Sequence, residues 1–117
     1  MKNREKIKVV HYRMDSNKYI YKEIKEVEDS LEDYKELIDG HLETYPLTDK
    51  LIIVCDEEGK IKQKEPRAVV FSVITRCPEV IVGDFFVCRR QGENFASVQD
   101  KDMELIDLLV ATDLKFD

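Results

Sequence analysis

The run Leu51-Ile52-Ile53-Val54-Cys55, inside GHLETYPLTDKLIIVCDEEGKIKQK (residues 40–64), decides the fold. Five apolar residues without a polar interruption suit a strand covered on both faces, because a half-wet strand alternates. Turn chemistry brackets the run. Pro46-Leu47-Thr48-Asp49 precedes it, and Asp56-Glu57-Glu58-Gly59 follows, placing a glycine where a three-to-five-residue hairpin wants positive φ. The return strand is then 61–64, short and rich in lysine, which on an edge strand discourages edge-to-edge pairing. On the other side, His41 to Tyr45 reads as a strand, and Gly40 ends a helix at its C′ position.

Further out, Ile7 to Met14 sets β-branched and aromatic residues in near alternation, Asp15-Ser16-Asn17-Lys18 are turn formers, and Tyr19 to Ile24 follows as a second strand. These make an N-terminal hairpin. Asp29-Ser30 offers a helix N-cap with Glu32 or Asp33 in capping-box position, and Leu31, Tyr34, Leu37 and Ile38 fall on one helical face. Residues 66–78 are open between a buried strand and a short helix. Val80 to Cys88 reads as one strand, with Gly83-Asp84 marking a bulge or a close backbone approach. Arg90 to Asn94 turns the chain into Phe95 to Val98. A last helix starts near Gln99 or Asp100, with Met103, Ile106, Leu109 and Val110 as its apolar stripe. The expectation is an α+β fold: a mostly antiparallel sheet with two helices packed against it, one domain over residues 1–117.

A chain of 117 residues with 43% hydrophobic composition can bury one core without metal or disulfide support. No run approaches the length of a membrane span, and the basic start leads directly into a strand pattern rather than the apolar core of a signal peptide, so the expected location is the cytoplasm, with no membrane partner. Cys55, Cys77 and Cys88 are odd in number, dispersed and in apolar sequence surroundings, which points to reduced thiols.

The net charge of −6 is unevenly spread. Residues 1–22 hold 7 Lys and Arg against 2 Asp and Glu, residues 23–58 hold 3 against 13, residues 59–99 hold 7 against 4, and residues 100–117 hold 2 against 6. The acidic block argues against nucleic acid on that surface and fits a basic protein surface; a solvated helix face is the plainer reading of the same charges. Its candidate partner-binding residues are Glu28, Glu32, Asp33, Glu36, Asp39, Glu57 and Glu58.

Catalytic chemistry finds little support. Cys88 beside Arg89-Arg90, or Cys55 before Asp56, has the neighbours of an activated thiol, yet each reads equally as a small buried hydrophobe. His11 and His41 stand in no ligand-spaced pattern, and no phosphate-binding glycine loop exists. We therefore expect no enzyme, no cofactor and no metal. A secondary reading uses Lys60, Lys62, Lys64, Arg67, Arg76, Arg89 and Arg90 with Tyr19 and Tyr21 as stacking groups: a small nucleic-acid-binding or regulatory domain, or a sponge for a small signalling nucleotide, with Arg67, Arg89 and Arg90 as its contacts.

The helix before Gly40, the strand pair, Glu57-Glu58-Gly59-Lys60, Arg67-Ala68 and Val82-Gly83-Asp84-Phe85 together resemble, over residues 28–98, the family called domain of unknown function 3846. Pro66 stands where that family usually has Asn before the Arg, and the apolar stretch 69–78 is longer than its pattern. The resemblance implies a context of phages, plasmids and conjugative elements, and carries no catalytic residues. With the acidic block, it leads to the expectation of a mobile-element accessory protein that binds a host protein with a basic surface, such as a CRISPR or restriction nuclease.

Overall fold

The computed structural model describes residues 5–112. Strands β1 (Lys6–Met14) and β2 (Ile20–Glu28) form the N-terminal hairpin, with Met14 opposite Ile20. Its turn is held by the Asp15 carboxylate, which accepts from the backbone N–H of Asn17 and of Tyr19, both at 2.9 Å, while Lys18 takes the left-handed conformation. Helix α1 (Leu31–Ile38) follows, capped by Ser30, whose Oγ accepts from Asp33 N–H and donates to the Asp33 carboxylate at 2.6 Å. Of the expected helical stripe, Tyr34 and Ile38 are buried, while Leu31 stays exposed.

Strands β3 (Leu42–Pro46) and β4 (Leu51–Asp56) pair antiparallel. Next come β5 (Pro66–Phe71), β6 (Pro78–Val82), β7 (Phe85–Gln91) and β8 (Asn94–Ala96), then a 3-10 turn Asp100–Asp102, helix α2 (Met103–Leu109) and the short β9 (Val110–Ala111). The main sheet has the order β2-β1-β7-β4-β3, with β8 added to β7; the second sheet is β6-β5-β9. Every pairing is antiparallel.

The apolar run explains this layering. All six residues of β4 are buried. Leu51, Ile53 and Cys55 join Val10, Tyr12, Phe85 and Val87 under the second sheet and α2, while Ile52 and Val54 join Phe86 and Cys88 under Tyr34 and Ile38 of α1. A strand between two apolar layers has no wet face, so it carries no alternation; each fully buried Ile or Val there contributes about 1.5–3 kcal/mol.

Four expectations change. Residues 61–64 are not a strand: residues 57–63 form a continuous turn, because the Lys62 and Lys64 ammonium groups bind the buried Asp56 carboxylate, at 3.0 and 2.8 Å, instead of lining an edge. Gly59 has no positive φ; its missing side chain matters because a Cβ would lie 3.0 Å from Val82 Cγ2 and 3.2 Å from the Val82 carbonyl oxygen. Gly40 does not supply the left-handed helix end, which is Asp39 at φ 52°. The stretch from Val80 to Cys88 is two strands in different sheets, joined at a corner where Gly83 takes φ 78°. The open stretch 66–78 proves to be β5 and the turn that leads to β6. Gly59→Val is accordingly expected to cost about 1–3 kcal/mol by crowding Val82, read as a lower midpoint in urea unfolding.

Candidate functional site

The end of α1 meets the exits of β4 and β6 in one dense cluster. The Asp56 side chain has no solvent exposure, and it accepts from Lys62, from Lys64 and from the Glu58 backbone N–H at 3.0 Å. Burial alone would raise its pKa, but the Lys64, Glu58 and Lys62 hydrogen bonds outweigh it and hold the carboxyl well below the usual range. Lys64 Nζ also donates to the carbonyl oxygens of Ile38, at 3.2 Å, and Asp39, at 2.7 Å, so one ammonium ties the turn to the negative end of α1. Its stem lies against Gly83. Beside it, Arg67 Nε donates to Asp84 at 2.8 Å, and Asp84 also accepts from the Met14 N–H. Gly40, Lys64, Arg67, Gly83 and Asp84 thus act together as a structural knot.

Above that knot lies the acidic surface. Glu32, Glu36 and Asp39 of α1 and its cap are exposed, as are Glu57 and Glu58, which the Glu57 N–H to His41 carbonyl bond (2.9 Å) seats beside the helix end. Among the described residues, none of these five carboxylates enters a salt bridge. Asp33 differs: its carboxylate caps the helix through Ser30. Glu28 is exposed at the end of β2, opposite Lys6.

A groove of about 510 Å³ runs between α1 and the β1–β2 hairpin. Glu26, Glu28, Asp33, Glu36 and Asp84 outnumber Lys6 and Lys25 on its walls, and His11 also lines it. His11 Nε2 bonds the Leu37 carbonyl oxygen at 2.8 Å, while its buried Nδ1 has no hydrogen-bond partner among the described residues. Burial, first, and then Lys25 lower its pKa against the raising effect of that bond and of Asp84 and Glu23, so the ring is neutral near pH 7. Glu26 is an addition that sequence reading did not single out, while His11 enters there only as a metal-ligand candidate and Asp84 only as part of a bulge. A histidine alternating along a strand looks like any core residue, and no spacing signals the groove.

The basic candidates are scattered. Arg67 is committed to Asp84, and Arg89 makes a two-pronged bond to Asp102, Nε to Oδ2 at 2.6 Å and the second guanidinium nitrogen to Oδ1 at 2.7 Å. Arg90 is exposed beyond it on β7. Lys60 pairs with Glu79 at 2.5 Å. Burial pushes the Cys55 and Cys88 thiols up to about 12, which opposes thiolate chemistry at either, and Cys77 is exposed in the β5–β6 turn rather than set in apolar surroundings. Among the described residues no group of three His, Cys, Asp or Glu is placed to hold a metal, and no helix is long and apolar enough to cross a membrane.

The family model described as Domain of unknown function (DUF3846) matches residues 7–110, so it covers nearly the whole described fold. No curated protein and no solved structure matches the chain. The chain belongs to the DUF3846 family.

Proposed function

We propose that this protein acts by binding rather than catalysis, presenting the acidic surface of α1 and the 57–58 turn to a protein with a basic surface. The observation that carries the reading is an imbalance of pairing: Arg13, Arg67 and Arg89 are bound to carboxylates of their own chain, whereas Glu32, Glu36, Asp39, Glu57 and Glu58 enter no salt bridge among the described residues. Charge left over on one surface steers association with the opposite sign. Carboxylates distributed along a helix and a turn offer a nucleic-acid-binding groove charges in place of phosphates. In the mobile-element setting that the family resemblance implies, a host defence nuclease is the first partner to test.

Two measurements check the class of partner. Association should weaken steeply between low and high salt, as exposed charge pairs do beyond a Debye length of about 8–10 Å. The native chain should also fail to shift duplex DNA or single-stranded RNA in an electrophoretic assay. A shift removed by Arg90→Ala would replace this reading with the nucleic-acid one.

A further inference from the structure

The outer edge of β2 is a surface of a different kind. It is nine residues long, holds neither Pro nor Gly, and among the described residues pairs on one side only, with β1. The other sheet ends are blunted: β3 finishes at Pro46, β6 starts at Pro78, and β8 and β9 span three and two residues. Hydrogen bonds from Asp15 N–H to the Tyr19 carbonyl (3.0 Å) and from Asp29 N–H to the Glu5 carbonyl (2.9 Å) set the phase of the hairpin. In an antiparallel pair the bonded positions recur every second residue, so the odd-numbered residues of β2 bond β1 and Ile20, Lys22, Ile24 and Glu26 turn their N–H and C=O outward, while the Glu28 carbonyl accepts from the Ser30 N–H at 2.8 Å.

We propose that this edge pairs with the same edge of a second copy of the chain, antiparallel, about a two-fold axis at Ile24. Outward groups must face outward groups, so the axis passes through a residue and not between two. Placed at Lys22, Glu23, Lys25 or Glu26, it sets that residue against its own copy, like charge against like. At Ile24 the order Lys-Glu-Ile-Lys-Glu becomes complementary to itself. Lys22 of each copy lies opposite Glu26 of the other, Glu23 opposite Lys25, and Tyr21 opposite Val27. Ile24 meets Ile24, and the overlap runs from Tyr21 to Val27. Ile24 is 58% exposed and Tyr21 44% exposed in the single chain, so both gain cover. Charges on an edge ordinarily keep it single; here they oppose the neighbouring registers and favour this one. The product is a continuous sheet through both copies, with the α1 acidic surface displayed twice.

The test is the oligomeric state of the full chain by sedimentation velocity and native mass spectrometry, from micromolar to millimolar concentration. The native chain should dimerise with rising concentration. Lys22→Glu, or Glu26→Lys, creates two like-charge pairs across the axis and should weaken the dimer by about tenfold, and the two together should restore it. The Lys22 contact with Asp107 within one chain is not restored by that double variant, so recovery isolates the interchain effect. Ile24→Pro removes an outward N–H that β1 does not use and should leave a folded monomer by circular dichroism. A chain that stays monomeric throughout, or a dimer indifferent to the charge variants, overturns the proposal; should Ile24→Pro fail to fold, the charge set alone decides.

Discussion

Gly40→Ala is expected to destabilise the fold by about 3–5 kcal/mol, the cost of breaking a buried ion pair. A Cβ at this position would lie 2.3 Å from Asp56 Cγ and 2.4 and 2.6 Å from its two oxygens, closer than atoms can approach. The carboxylate cannot swing aside cheaply, because Lys62, Lys64 and the Glu58 N–H hold it and its side chain is wholly buried. Displacing it would leave the Lys64 ammonium, 17% exposed, without its counter-charge. The colliding atoms all lie beyond the Asp56 Cβ, so Asp56→Ala makes room. The double variant should then be less damaged than the two single effects added, by more than about 1 kcal/mol in urea unfolding. Additive losses would mean that the two residues do not share a site.

The second large effect is at Asp102. Its carboxylate, 6% exposed as a residue, receives both prongs of Arg89 and the Gln99 N–H at 2.8 Å, and so fixes the start of α2 to the inner strand β7. Asp102→Ala leaves the Arg89 guanidinium, on a side chain 16% exposed, without its counter-charge, and a loss of about 3 kcal/mol is expected. For a domain of this size that lowers Tm by ten degrees or more in a calorimetric scan, at about 4 °C per kcal/mol. The Arg89 hydrogen bond, first, holds the Asp102 carboxyl below its ordinary value, overcoming burial, and the Gln99 N–H adds to it. A group with a depressed folded pKa stabilises fully above its unfolded pKa and progressively less as pH falls through its folded one. Native and Asp102→Ala stabilities should therefore differ most near neutrality and converge as pH drops below the usual carboxylate range.

How much of this was legible depends on whether a residue's partner is local. The β4 run announced a strand covered on both faces, the Asp15 to Lys18 turn announced a hairpin, and Ser30 with Asp33 announced a helix start; each of these signals is complete within a few residues of sequence. Where the partner is distant, local pattern misleads. Lys62 and Lys64 alternate like an edge strand, yet a buried carboxylate collects them both. Gly40 and Gly59 sit where positive φ is common, yet each is small because something else comes close. The run from Val80 to Cys88 is apolar on both sides of Gly83-Asp84 although Val80 is exposed and Phe85 to Cys88 are buried, and period alone cannot tell one sheet from two. At the candidate site, the count of carboxylates was visible. That Arg67 is spent on Asp84 and Arg89 on Asp102 was not.

The most direct test of the binding role is capture from a cell extract by the native chain and by the variant Glu32→Lys, Glu36→Lys, Glu58→Lys, with and without added duplex DNA. These positions are exposed and enter no salt bridge among the described residues, so the variant should keep its circular dichroism spectrum and lose little stability. If the acidic surface does the binding, the native chain captures basic, nucleic-acid-binding proteins, added DNA competes them away, and the reversed chain captures none of them. Equal capture by both chains, unaffected by DNA, would contradict it and leave the acidic block as a solvated face.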